Sequence, residues 1–366
     1  MPRTPVSRGL PDFPWDSLAE AKARAQAHPD GIVNLSVGTP VDPVAPLIRE
    51  ALASVSEVPG YPTTHGTPQL REAASAALAR RYGVTGIDPS AVLPALGTKE
   101  MIAWLPSLLG LGADDLVVIP EVAYPTYEVG ALLAGCRVLR ADGTMRLGPE
   151  SPALIFVNSP SNPTGKVLGI DHLRKVVDFA RQRGAIVVSD ECYLGLTWDA
   201  EACSILDPRV CDGDHTGLLA VHSLSKTSNL ASYRAGFVTG DPVLVAELLE
   251  VRKHAGMIMP TTVQAAMTAA LNDDEHENAQ RERYRARREV LLAAVRGAGF
   301  TVDNSEAGLY LWLTREEACR DTVDWFADRG ILVAPGDFYG PGSRRHVRMA
   351  LTETDERIAA AAARLG

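Results

Sequence analysis

The chain has 366 residues, 46% of them hydrophobic, and its 36 Lys and Arg against 45 Asp and Glu give a net charge of −9 at pH 7. This length exceeds the usual size of one hydrophobic core, so we expect two domains, and the acidic balance argues against nucleic acid or an anionic membrane as main partner. The cysteines form no Cys-x-x-Cys pair, the histidines show no metal-ligand spacing, and neither a signal peptide nor an apolar run of about 18 residues occurs, so we expect a cytoplasmic protein without disulfides, metal or membrane span.

Strand-like and helix-like segments alternate through the middle of the chain. Short apolar runs predict strands at residues 91–96, 116–119, 137–140, 153–157, 185–189, 218–222 and 236–239. Periodic apolar segments between them predict helices, among them 101–109, 127–134 and 171–181. Such alternation is typical of a mostly parallel sheet with helices on both faces. We therefore expect a large α/β domain over residues 36–255.

The C-terminal part of the chain has a different pattern. Long helical stretches between about 242 and 298 are followed by predicted strands at 309–313, 331–334 and 346–351, with helices between them. A last helix is predicted to begin at Asp355. This mixture indicates a smaller α+β domain over residues 256–366.

The run from residue 221 to residue 236 is rich in hydroxyl groups and holds a lysine and an arginine. The amine of Lys226 can bond to an aldehyde, and the guanidinium of Arg234 can bind a phosphate together with the hydroxyls of Ser223 and Ser225. A lysine alone is most often a surface charge, so the prediction depends on the whole set. The set indicates a site for an aldehyde that carries a phosphate.

A second phosphate-binding turn is predicted where the strand at 91–96 leads into a helix. Gly97 and Thr98 stand at that helix N-terminus, where unpaired N–H groups and the helix dipole favour an anion. Lys99 follows directly and is grouped with these candidate cofactor contacts. Such turns are common in α/β proteins, so this signal is weak by itself.

Three further polar residues complete the candidate site. Asp190 follows a buried strand, so its carboxylate lies at the strand end where ligands of α/β sheets gather, and it can keep a pyridine nitrogen protonated. Tyr193 and Asn162 can each donate a hydrogen bond to a phenolic oxygen of the same ring. An amine, an acid against a pyridine nitrogen and a phosphate clamp are together the groups that pyridoxal phosphate requires.

The chain resembles the class I and II aminotransferases of the fold-type I pyridoxal-phosphate superfamily. The resemblance extends over nearly the whole chain, in the motifs Asn162-Pro-Thr-Gly165, Asp190 with Tyr193, Ser223-Leu-Ser-Lys226 and Arg234 with Gly236. It implies that residues 1–35 join residues 256–366 in the small domain. It also implies that Lys226, Asp190 and Tyr193 are catalytic.

The resemblance adds roles that spacing alone does not show. Gly38, Asn162 and Arg348 resemble positions that contact the substrate, and the arginine grips the α-carboxylate. Tyr124 resembles the aromatic residue that stacks on the cofactor ring. Tyr61 resembles a residue that reaches the phosphate of the neighbouring subunit, which implies an obligate homodimer with a shared active site.

The implied reaction moves an amino group between glutamate and a 2-oxo acid. Residues 9–15 and 306–312 are similar to those of actinobacterial N-succinyldiaminopimelate aminotransferases of lysine biosynthesis. A succinylated dicarboxylate needs a second cation far from Arg348, for which the candidates are Lys99, Lys253, His254, Arg344 and Arg345. Two alternatives stay open: an aminotransferase for aspartate-like or aromatic amino acids, and a carbon–sulfur lyase with the same cofactor.

Overall fold

The computed structural model describes residues 5–366, apart from the side chains of residues 144 and 145. The strands are β1 Val33–Asn34, β2 Val92–Leu96, β3 Leu116–Ile119, β4 Arg137–Arg140, β5 Leu154–Asn158, β6 Ile186–Asp190, β7 Leu218–Ser223, β8 Ala235–Gly240, β9 Thr301–Val302, β10 Tyr310–Thr314, β11 Ile331–Leu332, β12 Ala334–Pro335 and β13 His346–Ala350. The α-helices are α1 Ala19–Gln26, α2 Pro46–Ser54, α3 Pro68–Tyr82, α4 Thr98–Leu108, α5 Thr126–Ala134, α6 Ile170–Arg183, α7 Pro208–Cys211, α8 Pro242–Ala255, α9 Thr261–Asn272, α10 Glu275–Gly297, α11 Cys319–Ala327 and α12 Asp355–Ala363.

A seven-stranded sheet with the order β2-β8-β7-β6-β5-β3-β4 forms the centre of the protein. All its pairs are parallel except those that β8 makes with β2 and β7. The predicted mostly parallel sheet is therefore confirmed, with each strand within one residue of its predicted ends. The inner strands are buried along nearly their whole length, as expected when helices cover both faces.

The register of the inner strands brings polar residues together at one edge of the sheet. Asn158 at the end of β5 lies opposite Asp190 at the end of β6, and β7 ends nearby at Ser223. Carboxyl ends of parallel strands share an edge, which is where α/β proteins bind ligands. This edge is the base of the candidate site.

Residues from the N-terminal and C-terminal parts of the chain pack together in a hydrophobic cluster outside the seven-stranded sheet. It contains Leu18, Val33 and Leu35 together with buried residues between 284 and 365. Beside it lie the antiparallel sheet β12-β13-β10-β9 and the parallel pair β1-β11. The helix α9 instead packs in the cluster of the seven-stranded sheet, through residues such as Met267. The division of the chain at residues 35 and 255 remains a prediction.

The long helix α10 holds the segment that follows Lys226. Its residues 276, 280 and 284 are four apart and so share one face. His276 Nε2 lies 2.8 Å from Ser228 Oγ, and Gln280 Oε1 accepts a hydrogen bond of 2.9 Å from Asn229. Tyr284 Oη donates to the Lys226 carbonyl oxygen at 3.3 Å. The position of Lys226 thus depends on a helix about 50 residues further along the chain.

The same helix is tied to the segment that contains Gly38. The buried Arg287 donates two hydrogen bonds of 2.7 Å to the carboxylate of Asp42, which also accepts one of 2.8 Å from Gln280. A bidentate arginine–carboxylate pair has a fixed geometry. Both segments are consequently anchored on α10.

None of the helices within residues 5–366 combines the length and the apolar character needed to cross a bilayer.

We predict that Asp42→Asn lowers the free energy of unfolding by about 1–3 kcal/mol at pH 7, because Arg287 loses a charged partner. Burial raises the pKa of Asp42, but the hydrogen bonds from Arg287 and Gln280 hold it below the usual value. The stabilisation is therefore present above the unfolded pKa of about 3.9 and is lost as the pH falls through the lower folded pKa.

Urea unfolding of both proteins between pH 3 and 7 measures this difference, which should shrink below about pH 4. Glu50→Gln on α2 is the matched control, because Glu50 is exposed and has no ion pair within the described residues. Its effect should stay within about 0.5 kcal/mol. Equal losses in the two variants would contradict the role of the Asp42–Arg287 pair.

Candidate active site

A cavity of about 500 Å³ lies at the carboxyl edge of β5, β6 and β7. Of the sequence-predicted site residues, it brings together Gly38, Thr98, Lys99, Tyr124, Asn162, Asp190, Tyr193, Ser223, Ser225, Lys226, Arg234 and Arg348. Gly97 stands directly beside it, whereas Tyr61 lies elsewhere. Residues that the sequence reasoning missed also line it, namely Phe13, Trp15, Val37, Thr39, Ala231 and Tyr310.

Asp190 is a buried acid at the base of the cavity. Its carboxylate accepts hydrogen bonds from Tyr127 Oη at 2.7 Å and from the Cys192 backbone N–H at 3.2 Å. Burial raises the pKa of Asp190, and these hydrogen bonds oppose the rise. Within residues 5–366 no Lys, Arg or His forms an ion pair with it. A carboxylate placed in this way fits a cationic ring nitrogen, which would compensate its burial.

The amine of Lys226 is enclosed by the same cavity and donates a hydrogen bond to the carbonyl oxygen of Gly38. Burial lowers the pKa of this amine, and the positive charges of Arg348 and Arg234 lower it further. A lowered pKa increases the share of neutral amine, which is the form that attacks an aldehyde. The described residues thus contain an activated nucleophile in the cavity.

The predicted phosphate-binding residues converge at the N-terminus of α4. Gly97 precedes this helix with φ +83°, and a Cβ atom there would overlap the guanidinium of Arg234. The close approach explains why glycine is needed at this turn. Ser223 Oγ accepts a hydrogen bond of 3.1 Å from the Ser225 backbone N–H, and both serines line the cavity. Free N–H groups, hydroxyls and a guanidinium suit a phosphate group.

Arg348 is a buried cation on β13. It donates hydrogen bonds of 2.8 Å to Asn162 Oδ1 and of 2.7 Å to the Ser36 carbonyl oxygen, and its guanidinium lies 3.9 Å from the centre of the Tyr310 ring. Within the part of the chain that the structure describes, no carboxylate pairs with it. A buried guanidinium without an anion is costly, so this position suits the carboxylate of a ligand.

Two tyrosines missed by the sequence reasoning support the predicted residues. Tyr127 donates a hydrogen bond to Asp190. The sequence could have indicated it, because it follows the predicted Tyr124 by three residues and the two rings pack together. The Tyr310 hydroxyl lies 3.1 Å from that of Tyr193. Tyr310 is on the strand that pairs with β13, a contact that no local pattern indicates.

Of the candidates for a second cation, only Lys99 lines the cavity within the described residues. Its ammonium lies 5.6 Å from the centre of the Phe13 ring, and burial and then Arg234 lower its pKa. Lys253 and Arg345 instead pair with the exposed glutamates Glu250 and Glu316.

Tyr61 is 99% exposed and lies outside the cavity of its own chain. Its predicted contact with a neighbouring subunit stays a prediction.

The family described as aminotransferase class I and II matches residues 30–365. A probable aminotransferase, Rv1178 of Mycobacterium tuberculosis, is 72% identical over 98% of this chain and 86% of its own length. The 4-dedimethylamino-4-oxo-anhydrotetracycline transaminase OxyQ of Streptomyces rimosus is 58% identical over 98% and 99% of the two chains. Among solved structures, a probable N-succinyldiaminopimelate aminotransferase of Thermus thermophilus has a TM-score of 0.87 and 28% identity over 96% and 99%.

The family model begins at residue 30 and so covers every residue of the cavity except the two aromatic residues near the N-terminus, Phe13 and Trp15, whereas the two relatives each cover 98% of the chain. The donor set of the cavity fits pyridoxal phosphate on the chemistry of its buried acid, its amine and its phosphate-binding turn. The chain therefore belongs to the class I and II aminotransferase family, whose enzymes depend on pyridoxal phosphate and exchange an amino group between an amino acid and a 2-oxo acid.

Proposed function

We propose that the protein transfers an amino group from glutamate to a 2-oxo dicarboxylate, with N-succinyl-2-amino-6-oxopimelate as the favoured acceptor. When bound, pyridoxal phosphate supplies an aldehyde that receives the amino group and a ring that withdraws electrons. Lys226 holds the aldehyde and then carries a proton to and from the substrate α-carbon. Its lowered pKa supports this role.

The remaining residues hold the reacting groups in place. Asp190 keeps the ring nitrogen protonated, and Tyr193 and Asn162 face the ring oxygen. Ser223, Ser225 and Arg234 bind the phosphate with the turn at Gly97 and Thr98. Tyr124 packs on the ring. The convergence of these side chains on one cavity supports the assignment.

The proposal of a dicarboxylate substrate depends on two cations in one cavity. Arg348 lies on β13 and Lys99 on α4. Neither has a carboxylate partner within residues 5–366. A substrate with two distant carboxylates would neutralise both, Arg348 at the α-carboxylate and Lys99 at the far end. The similarity to a probable N-succinyldiaminopimelate aminotransferase is consistent with this choice.

A second candidate substrate follows from the 58% identity to a transaminase that acts on 4-dedimethylamino-4-oxo-anhydrotetracycline. The aromatic side chains of Phe13, Trp15 and Tyr124 line the cavity and would suit a flat ring system. Aspartate-like and aromatic amino acids remain further candidates, since the same cofactor site would serve them. Kinetics with each 2-oxo compound, with glutamate as donor, decide among these substrates.

We predict that Lys99→Gln raises KM for a 2-oxo dicarboxylate by about 10- to 100-fold, because a charged contact worth about 1.5–3 kcal/mol is lost. KM for a monocarboxylic 2-oxo acid should change little. Lys253→Gln, which makes the same change outside the cavity, is the control. An equal rise for both acceptors, with weaker cofactor binding by absorbance titration, would assign Lys99 to the cofactor and not to the substrate.

Asp190→Asn keeps the size of the side chain but removes its charge. The variant should still bind the cofactor and show visible absorbance, whereas kcat should fall by about 10²- to 10⁴-fold because proton transfer at the α-carbon slows. Tyr127→Phe removes one hydrogen bond to Asp190 and should cause a smaller loss. A kcat of Asp190→Asn close to that of the unchanged protein would disprove the proposed role of the acid.

We further propose a cytoplasmic homodimer in which Tyr61 completes the site of the neighbouring subunit. The high exposure of Tyr61 in a single chain supports this. A mixed dimer of Tyr61→Ala and Lys226→Ala chains, purified with two affinity tags, should regain up to about half the activity, because one site carries both changes and the other neither. No recovery, or full activity of Tyr61→Ala alone, would count against a shared site.

A further inference from the structure

A second cavity, of about 320 Å³, lies between β3, β5, α6 and the small antiparallel sheet. The wall nearest the large sheet is apolar, with Val118, Ile155, Val157, Leu168 and Val176. Its volume is at the lower end of the range of small-molecule sites. Ordered water needs polar partners, which such a wall does not supply, so the apolar part of a ligand suits it better.

The mouth of this cavity carries charges of both signs. Lys166 and Asp142 are exposed, line the cavity, and have no ion-pair partner among the described residues. His172 lines the same region, and its pKa is lowered by burial and then by the nearby charge of Lys166. A cation and an anion at the entrance of an apolar cavity favour a ligand that has both charges next to an apolar body.

The lining of the cavity also includes a histidine from the small antiparallel sheet. His346 Nε2 lies 2.8 Å from Asp303 Oδ2, and the ring stacks on Trp312. Nδ1 of this histidine is buried, and within the described residues it has no hydrogen-bond partner. When Nε2–H donates to Asp303, Nδ1 of the neutral ring is an acceptor. His346 thus adds a polar ring to the lining of the cavity.

Asn158 and the pair Trp312–Tyr339 lie between this cavity and the active site. Asn158 lines the cavity and donates a hydrogen bond of 2.8 Å to the Asp190 carbonyl oxygen, while its Oδ1 accepts one of 2.7 Å from the Asn162 backbone N–H. The Trp312 ring packs edge-on against the Tyr339 ring, and the centre of the Tyr339 ring lies 5.2 Å from the guanidinium carbon of Arg348. The lining of the cavity thus includes Asn158, which is bonded to Asp190, and Trp312, which is linked through Tyr339 to Arg348.

We propose that this cavity binds a free amino acid with an aliphatic or aromatic side chain, and that its binding changes the rate of transamination. The side chain fills the apolar part, the carboxylate faces Lys166, and the ammonium faces Asp142. The rate changes only as far as the ligand prefers one arrangement of Asn158 and Trp312. The proposal does not depend on which 2-oxo acid the enzyme uses.

The probe is 2-methyl-L-leucine, which has no hydrogen on the α-carbon and so cannot be transaminated. Calorimetric titration of the holoenzyme, first converted by excess glutamate to the amine form of its cofactor so that the probe cannot form an imine there, should detect one site per chain. Leu168→Trp, which fills the cavity, should weaken binding by more than about tenfold. Lys166→Gln should weaken it by about two- to fivefold, as expected for a partly exposed charge pair.

Lys175→Gln on α6 is the matched control, since Lys175 is exposed and does not line the cavity. All three variants should keep their activity without the probe, which shows that they fold. Binding of the probe that Leu168→Trp leaves unchanged would overturn the proposal, as would the absence of binding at millimolar probe.

Two single-charge analogues test the assignment of the ligand class. 4-Methylpentanoate and 3-methylbutylamine keep the apolar body but lack one charge each, and both should bind more weakly than the probe. The probe should also change kcat in the unchanged protein but not in Leu168→Trp. Analogues that bind as tightly as the probe, or a kcat that responds equally in both proteins, would contradict the proposed site.

Discussion

The arrangement of the active site depends on one buried carboxylate without a cation. Asp190 ends a central strand, accepts hydrogen bonds from Tyr127 and Cys192, and forms no ion pair within residues 5–366. Burial disfavours the charged form of a lone acid and raises the pKa of Asp190. A protonated ring nitrogen reverses this preference, because each group then stabilises the charge of the other. Cofactor and acid thus depend on each other for their ionisation.

The other charges of the cavity have the opposite sign. Lys226, Arg234, Arg348 and Lys99 all line it, although the protein as a whole has a net charge of −9. Four positive groups around one acid attract a cofactor phosphate and substrate carboxylates. Burial lowers the pKa of Lys226 most, and Arg348 and Arg234 lower it further, so two of these charges also favour the neutral form of the amine.

The sequence allowed the large sheet and most of the site to be predicted, because both depend on local patterns. Apolar runs such as 185–189 mark buried strands whatever surrounds them, and the residues around Lys226 and Asp190 occur in short motifs. The strands β1 and β9 were not predicted, because each has only two residues and so is too short to show a periodic pattern. Tyr310 was missed because its place in the cavity follows from pairing with a strand far along the chain. The predicted role of Tyr61 remains a prediction, since the site that it is expected to reach belongs to another subunit.

The polar face of α10 has a mechanical consequence. It binds the segment after Lys226 through His276, Gln280 and Tyr284, and the segment after Gly38 through the Asp42–Arg287 pair. Asn162 and Asp190 belong to the sheet edge, which α10 does not contact through these bonds. A rotation of this helix as a rigid body would move the Lys226 amine and the backbone at Gly38 together, while Asp190 kept its position. Such a rotation would change the angle between the Lys226 amine and the Asp190 carboxylate.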